Sequence, residues 1–395
     1  MSEHKAFSAT GNQMIAEAMR QIDPDVMAAY PITPQTTIVE NFAKFVADGR
    51  VHTELVDVES EHSALSACIG ASAAGARVAT ATASQGLALM WEELHIAAGM
   101  RCPIVMANAN RTLSAPINIH GDHSDVMGAR DTGWVIFFAE TAQEAYDNTV
   151  IAFKVAEDPR VQLPVMPTLD GFITSHALDR CELEEDAVVK EFVGEYVAAH
   201  PLLDTDNPVS HGNFANIGST YMKTRKQLRD ALCGSLPVIE EHGKAWAQIT
   251  GRPFELVDTW GTEDADCIVV VLGSAAGNCR HVARELRAAG KKVGVVRPRV
   301  FRPFPTQAVA DACKGAKAIA VLDRSDSLGS HAAPLGADVM SALYQAGCTA
   351  PVKNYLYGLG GADVTTGLVH EVFSDLEAIA AGEGDCSLKY LGIEG

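Results

Sequence analysis

Two glutamates precede a segment of small side chains, "VDVESEHSALSACIG", and either one could carry acid–base chemistry. Glu59 and Glu61 stand two positions apart, so on a helix they point to different faces and only one can enter a given pocket. The 24 residues Ser63–Gly86 carry a single charge, Arg77. A carboxylate among such side chains can lie in an apolar, open pocket. Alternatively, both acids stabilise the positive end of a helix.

A second candidate is the stretch "AYPITPQT", where Pro31 and Pro34 bracket Ile32 and Thr33. Proline fixes φ and restricts the residue before it, so this turn is stiff. The stretch predicts either a rigid turn with no further role or a loop that offers the Thr33 hydroxyl to a bound ligand.

A third candidate is "NANRTLSAPINIHGDHSD". Arg111 follows a predicted strand, where its guanidinium could hold a carboxylate by two hydrogen bonds. His120, Asp122, His123 and Asp125 do not match the spacing of a known metal-ligand set, so we expect no metal site. We expect them instead to pin the loop by hydrogen bonds or to face a partner.

The last glycine-rich stretch, "GLGGADV" at Gly358–Val364, lacks the third glycine of a dinucleotide fingerprint. It predicts a turn near a domain or subunit interface.

The elements that position these residues alternate between helix and strand, which indicates α/β domains with doubly wound, mostly parallel sheets. Ligands bind such sheets beyond the carboxyl ends of the strands, here in the loops after Tyr30, Ala109 and Thr168. In the first half we predict a helix over Gly11–Ile22, a strand ending at Pro31, a helix over Ser63–Gly75, a strand through Val78, Thr80 and Thr82, one helix over Gln85–Arg101 and a strand over Cys102–Asn110.

Length and composition predict several domains in an ordinary globular protein. A chain of 395 residues exceeds the usual size of one core. We expect a first domain at 1–177, an extended connection with a helical arm at 178–263, and a second α/β domain at 264–395.

Charge and segment composition exclude several partners. The net charge of −19 argues against nucleic acid and anionic membrane surfaces. No apolar run is long enough to span a bilayer, and the first residues lack the apolar core of a secretory signal, so a cytoplasmic location is expected. None of the nine cysteines forms a C-x-x-C pair, which predicts reduced thiols and no iron–sulfur cluster on this chain.

Longer motifs carry a resemblance to a known family. They are "YPITP", "VESEHSALSACIGASAAGARVATATASQGLALM", "LHIAAGMRCPIVMANANRTLSAPINI", "RDTGW", "VGEY", "VLGS", "VFRPFP" and "GLGGADVT". Together the motifs resemble the alpha subunit of 2-oxoacid:acceptor oxidoreductases, of which multi-subunit pyruvate:ferredoxin oxidoreductase is the type member. The resemblance covers nearly the whole chain. It implies a pyrimidine-binding domain for thiamine diphosphate followed by a transketolase C-terminal-like domain.

The resemblance also implies partners. A beta subunit would hold the diphosphate and Mg²⁺ half of the cofactor site, and gamma and delta subunits would complete a dimer of heteromers. Iron–sulfur clusters would lie only on partner subunits. The chain has neither a G-D-G motif for magnesium nor a cysteine cluster motif, which agrees with that division.

Within this family the spacing distinguishes the two glutamates. Thiamine enzymes resemble one another in a glutamate followed nine residues later by a small-residue stretch. Nine residues from Glu61 is Gly70, whereas nine from Glu59 is Cys68. Glu61 is therefore the expected catalytic residue, hydrogen-bonded to a pyrimidine ring nitrogen of the cofactor, and Glu59 keeps a structural role.

By the same resemblance, four further roles follow. Thr33 and Arg111 would bind the substrate carboxylate, while Pro31 and Ile32 would line the cofactor site. The implied reaction is oxidative decarboxylation of a 2-oxoacid, pyruvate first, to the acyl-coenzyme A and carbon dioxide, with electrons passing to partner subunits. Ferredoxin, or NAD through another subunit, would be the final acceptor.

Three alternatives stay open. The same chemistry could act on an aryl 2-oxoacid such as phenylglyoxylate with NAD as acceptor. A non-catalytic assembly subunit could keep the fold without the chemistry. A stand-alone dinucleotide-binding enzyme is disfavoured because no complete glycine fingerprint follows a first strand.

Overall fold

Helices and strands alternate along most of the chain in the computed structural model, which describes residues 6–212 and 214–393. The strands are β1 Phe7–Ala9, β2 Val26–Ala29, β3 Glu54–Asp57, β4 Val78–Thr82, β5 Val105–Asn110, β6 Val135–Ala139, β7 Val165–Asp170, β8 Asp179–Cys181, β9 Val257–Trp260, β10 Cys267–Val271, β11 Val293–Pro298, β12 Val300–Arg302, β13 Ala318–Asp323, β14 Val352–Leu356 and β15 Lys389–Tyr390.

The helices surround the sheets formed by these strands. They are α1 Gly11–Ile22, α2 Thr36–Ala47, α3 Glu61–Ala74, α4 Ser84–Leu89, α5 Trp91–Gly99, α6 Ser124–Ala129, α7 Ala142–Glu157, α8 Ile173–His176, α9 Asp186–Val193, α10 Ser219–Gly234, α11 Leu236–Thr250, α12 Ala275–Ala288, α13 Thr306–Ala312, α14 Pro334–Gln345 and α15 Thr366–Ala380. None of the helices in the described part of the chain has the length and apolar character needed to cross a membrane.

The first sheet has seven strands in the order β12-β6-β7-β5-β4-β2-β3. All neighbours are parallel except β12, which runs antiparallel to β6. Every residue of β4, β5, β6 and β7 is buried, because helices cover both faces. The carboxyl ends of β5, β4, β2 and β3 therefore lie side by side at one edge.

The second sheet has six strands in the order β15-β14-β13-β10-β11-β9, with only β9 antiparallel. Two mostly parallel, doubly wound sheets confirm the predicted fold class. β1 and β8 form a separate two-stranded antiparallel sheet.

The two large sheets are joined by a strand exchange that the sequence did not predict. β12 follows the second sheet's β11 but pairs with β6 of the first sheet, Val300 opposite Phe137. Beside it, Arg297 is 3% exposed and binds the Glu144 carboxylate through both terminal nitrogens at 2.8 and 2.7 Å. A buried ion pair thus accompanies the exchanged strand.

Between the sheets, the chain from 178 to 263 contains three helices and a stretch at 194–218 without helix or strand among its described residues. The larger of the two hydrophobic cores includes Val189 and Phe192 of α9 and Trp246 of α11. Trp246 donates its indole N–H to Asp147 at 2.7 Å. The three-part division of the chain stays a prediction.

One predicted element was wrong. The expected helix over Gln85–Arg101 is two helices, α4 and α5, which meet at Met90, where φ is −78° and ψ is 0°. The Met90 side chain is fully buried, so the turn at this residue directs it into the core. The apolar periodicity continues through the turn, which explains why the break was missed.

Candidate active site at the carboxyl edge of the first sheet

Glu61 is the first residue of α3, directly after the carboxyl end of β3. The helix begins there because the Ser60 side chain accepts the Ser63 backbone N–H at 3.2 Å. Glu61 is only 8% exposed, yet within residues 6–212 and 214–393 no protein group donates a hydrogen bond to its carboxylate. A nearly buried carboxylate without a donor is rare and marks a place for a ligand.

The wall opposite Glu61 is formed by Gly86 of α4. A Cβ at this position would lie 2.8 Å from Glu61 Oε1 and 2.6 Å from the Thr82 hydroxyl, closer than real contacts allow. Only glycine permits this approach. The Thr82 hydroxyl is buried and, in the described residues, also lacks a hydrogen-bond partner. The absence of a side chain at Gly86 therefore lets the Glu61 carboxylate and the Thr82 hydroxyl approach the α4 backbone.

Glu59 lies outside this pocket. It is exposed, and its carboxylate accepts a hydrogen bond from the Ser63 hydroxyl. This hydrogen bond lowers the pKa of the Glu59 carboxyl. Its contacts are those of a residue that supports the start of the helix, whereas the Glu61 side chain packs against Gly86.

The structure brings Thr33 and Arg111 together. Arg111 follows β5 and donates from Nη1 to the Thr33 carbonyl at 2.8 Å and from Nε to the Asn118 carbonyl at 3.2 Å. Arg111 is 7% exposed, and burial lowers its pKa from the ordinary arginine value. Its Nη2 group has no acceptor among the described residues, so two N–H donors remain available.

Hydrogen bonds from two buried side-chain amides, those of Asn12 and Gln35, hold the loop that carries Thr33 in place. Asn12 donates to the Pro34 carbonyl at 2.7 Å, and Gln35 donates to the Ala81 carbonyl at 2.8 Å while accepting the Ile32 N–H at 3.1 Å. Thr33 itself is exposed and its hydroxyl has no partner within the described chain. The rigid-turn hypothesis and the ligand hypothesis are thus compatible.

Pro31 and Ile32 lie at the same rim of the loop. Pro31 is exposed and Ile32 is half-buried. The structure places both at the carboxyl edge of the sheet, after β2. Their contact with a cofactor stays a prediction.

Asp125 is the buried centre of the neighbouring loop, a role that sequence reasoning stated only generally. Its carboxylate accepts the backbone N–H groups of Ser84 at 2.9 Å and Arg111 at 3.0 Å. The Asn108 and Asn110 amides also donate to it, at 3.1 and 3.2 Å. Burial raises the pKa of Asp125. Asp125 thus holds the end of β5 against the start of α4.

His123 fixes the same loop to the end of β7 in the first sheet. Its Nε2 lies 2.6 Å from Asp170 Oδ1, and both side chains are 1% exposed. Burial alone would raise the pKa of Asp170, but His123 and Arg324 hold it well below its usual range. Ser274, which follows β10, donates its backbone N–H to Asp170 at 2.9 Å. The predicted pinning of this loop by hydrogen bonds is confirmed.

The glycine-rich turn meets that loop from the other side. Asn118 donates to the Gly360 carbonyl at 3.0 Å, and a Cβ on Gly361 would lie 2.4 Å from the His120 Cβ. The predicted position of "GLGGADV" at an interface between the two α/β parts is confirmed.

One group of potential metal ligands lies beside the site, in the part of the chain that the structure describes. His62 Nε2 is 3.3 Å from Glu93 Oε1 and 3.6 Å from Glu92 Oε1. Glu92 is 73% exposed, and the contacts are those of an ion pair between α3 and α5. We assign no metal to them.

The geometry places the Glu61 carboxylate and the linked pair Thr33 and Arg111 on adjacent strand ends. Glu61 follows β3, Thr33 follows β2, Gly86 follows β4 and Arg111 follows β5. Gly86 was not singled out from the sequence, although a glycine two residues into a helix that follows a buried strand is a recognisable mark of close approach. Such a site can polarise a ring nitrogen at Glu61 and hold an anion at Arg111.

Two protein-family models and several known proteins match this chain. Residues 17–241 match the family described as pyruvate flavodoxin/ferredoxin oxidoreductase, thiamine diphosphate-binding, and residues 265–369 match pyruvate:ferredoxin oxidoreductase core domain II. The chain is 49% identical to pyruvate synthase subunit PorA of Thermotoga maritima over 386 residues, 98% of this chain and 97% of that protein.

A second relative bears on the substrate. The chain is 39% identical over 387 residues to the alpha subunit of NADH-dependent phenylglyoxylate dehydrogenase of Aromatoleum evansii, covering 96% of this chain and 93% of that protein. A solved 2-oxoglutarate:ferredoxin oxidoreductase from Magnetococcus marinus matches with a TM-score of 0.73 at 19% identity, over 95% of this chain and 66% of that chain. At that identity the match supports the fold.

Proposed function

The chain belongs to the pyruvate flavodoxin/ferredoxin oxidoreductase family, and on that premise we propose that Glu61, Thr33 and Arg111 are its half of a shared active site. It is an alpha subunit of a thiamine diphosphate-dependent 2-oxoacid oxidoreductase, with pyruvate as the first-choice substrate. The observation that carries the site assignment is the nearly buried Glu61 carboxylate, which no protein group in the described chain satisfies.

The residues around Glu61 fit the pyrimidine half of thiamine diphosphate. The carboxylate faces the space that Gly86 leaves open, and the buried Thr82 hydroxyl offers a further polar group. When bound, the cofactor supplies the carbon nucleophile and the electron sink for decarboxylation. Glu61 holds a proton at a pyrimidine ring nitrogen, and Pro31 and Ile32 line the same rim. A protein donor bonded to the Glu61 carboxylate would compete with the ring nitrogen, and the described chain places none there.

Arg111 and Thr33 bind the carboxylate of the 2-oxoacid. Arg111 Nη1 is tied to the Thr33 carbonyl, and the Arg111 Nη2 group and the Thr33 hydroxyl have no partner in the described chain. A guanidinium with one nitrogen fixed by the protein presents the remaining N–H groups in a defined direction. This favours an anionic substrate group over a neutral one.

Partner subunits complete the site in this proposal. A beta subunit brings the diphosphate and Mg²⁺ half, and iron–sulfur clusters lie on beta and delta subunits or domains. Leu89 and Trp91, which follow Gly86 closely in the chain, are 51% and 52% exposed, which is typical of a surface that another chain covers. The names of the relatives place their chains in multi-subunit enzymes. We further propose a cytoplasmic location, a dimer of heteromers and the division 1–177, 178–263 and 264–395.

The substrate and the acceptor separate the main proposal from its alternative. The more similar relative is a pyruvate synthase subunit, whereas the phenylglyoxylate enzyme is less similar. We therefore propose pyruvate and coenzyme A as substrates with ferredoxin as acceptor. An aryl 2-oxoacid with NAD is the second candidate, which the Aromatoleum evansii relative supports.

The test is an assay of the purified multi-subunit complex against a panel of 2-oxoacids with each acceptor. We expect coenzyme A-dependent reduction of ferredoxin that is fastest with pyruvate, and thiamine diphosphate bound in stoichiometric amount. Faster turnover of phenylglyoxylate with NAD would select the alternative. A complex without bound thiamine diphosphate and without turnover would indicate a non-catalytic assembly subunit.

A further inference from the structure

A cavity of about 580 Å³ lies on the side of the first sheet opposite the candidate active site. Gly133, in its wall, lies two residues before the start of β6, and Arg302 ends β12, which runs antiparallel to β6. Both residues therefore mark the amino edge of the sheet. Thr33 and Arg111 lie at the carboxyl edge, so the cavity is separate from the site described above.

Four arginines surround this cavity in a strongly acidic chain of net charge −19. Two of them are already paired: Arg302 Nη1 lies 2.8 Å from Asp338 Oδ2, and Arg130 Nε lies 3.6 Å from Asp131 Oδ2. The acids of the wall therefore neutralise only part of its positive charge.

The other two arginines, Arg225 and Arg229, stand one turn apart on α10. They share a helix face because residues four apart are neighbours there. Neither has a carboxylate within ion-pair distance in residues 6–212 and 214–393. By contrast, Lys226 on another face of the same helix pairs with Asp230 at 2.5 Å. The cavity thus holds two uncompensated guanidinium groups.

The floor of the cavity is apolar. Leu228 and Leu232 of α10, together with Pro303 and Phe304 after β12, line it. A ligand that fits must therefore combine at least two negative charges with an apolar part. The volume lies within the range of small-molecule sites. Guanidinium forks bind phosphate oxygens in pairs.

We propose that this cavity binds a nucleoside diphosphate, with its phosphates on Arg225 and Arg229 and its ring system on the apolar floor. Most of the wall comes from the loop before β6, helix α10 and the segment after β12, and Leu236 of α11 and Asp338 of α14 complete it. A ligand here connects the first sheet, the helical arm and the second α/β part. Its binding is independent of the 2-oxoacid chemistry.

The test uses a fluorescent ADP analogue (mant-ADP) titrated into the assembled complex already saturated with thiamine diphosphate and Mg²⁺. The double variant Arg225→Gln/Arg229→Gln removes two positive charges from the cavity. Its matched control, Lys223→Gln/Lys226→Gln, removes two positive charges from the same helix outside the cavity. All four side chains are exposed, so both variants retain the fold.

We expect saturable binding that inorganic pyrophosphate displaces, weakened about 10-fold or more in the arginine variant and unchanged in the lysine control. Equal affinities in the two variants, or no saturable binding to the wild-type complex, would overturn the proposal. A raised KM for coenzyme A in the arginine variant alone would place the reacting coenzyme here and refute a separate site. Loss of assembly in that variant would show that a partner chain occupies the cavity. Because the readout is binding, failure here leaves the proposed function untouched.

Discussion

Arg111 Nη1 donates to the Thr33 backbone carbonyl at 2.8 Å, which links the loops after β5 and β2 across the end of β4. The bond fixes the guanidinium in one orientation and leaves the Nη2 group and the Thr33 hydroxyl without protein partners in the described chain. Two residues that lie far apart in the sequence are thus linked, and each keeps a hydrogen-bond donor without a protein partner in the described chain.

This link predicts the behaviour of Arg111→Lys. A lysine ammonium cannot hold both the Thr33 carbonyl and a carboxylate in the geometry of the guanidinium. We expect the KM for the 2-oxoacid to rise about 10-fold or more in the assembled enzyme, which steady-state kinetics would measure. The control Arg50→Lys changes an exposed arginine that stacks on Phe45. An unchanged KM in Arg111→Lys would remove Arg111 from the substrate site.

The close approach of Gly86 predicts a second effect. The methyl group that Gly86→Ala adds would meet Glu61 Oε1, the far end of a movable side chain, and the Thr82 hydroxyl. We therefore expect this variant to fold normally while thiamine diphosphate affinity in the complex falls about 10-fold or more, as titration calorimetry would show.

The matched control is Gly99→Ala in the adjacent helix, where nothing lies within 4 Å of the new Cβ. It should bind the cofactor as the wild type does. Equal affinity in both glycine variants would mean that the cofactor does not use the space beside Glu61.

The ion pair between Glu144 and Arg297 predicts how stability depends on pH. Burial would raise the pKa of Glu144, but the charges of Arg297 and Arg299 lower it to about 2. The stabilisation is therefore present above the unfolded pKa of about 4.5 and is lost as pH falls from there towards 2. Urea unfolding of the chain between pH 3 and 7 should show this loss.

Removing the carboxylate tests the same pair. Glu144→Gln removes the nearest of the three carboxylates around Arg297, which is 3% exposed, and leaves Glu140 at 3.2 Å and Asp258 at 3.4 Å. We expect the free energy of unfolding at pH 7 to fall by about 2 kcal/mol, and its decrease towards acid pH to become shallower. Glu40→Gln, at an exposed glutamate, should change neither quantity. Matching pH profiles for Glu144→Gln and the wild type would contradict this assignment.

The sequence predicted the fold class and most of the individual elements, because each helix and strand has its own apolar period. The helix over Gly11–Ile22 was predicted to the residue. The strand exchange was missed, since Val300–Arg302 is too short for a period to show and its partner lies far away in sequence. The break at Met90 was missed because apolar side chains continue through it.

The candidate site, like the fold, could be predicted only in part from the sequence. Strand-end logic and family resemblance together singled out Glu61, Thr33 and Arg111, and the structure places all three at one sheet edge. The Arg111–Thr33 bond and the contact of Gly86 with Glu61 could not be predicted, because both depend on how neighbouring loops pack. Tertiary distances of this kind leave no periodic signal in the sequence.

The central claim is that Glu61 activates the cofactor, and Glu61→Gln in the assembled complex tests it most directly. The amide keeps the size of the side chain but cannot exchange a proton as a carboxylate does. With Glu59→Gln as the control, we predict that coenzyme A-dependent oxidation of pyruvate falls by about 10²-fold or more only in Glu61→Gln, while both complexes assemble and bind thiamine diphosphate. Wild-type turnover in Glu61→Gln, or an equal loss in Glu59→Gln, would contradict the account.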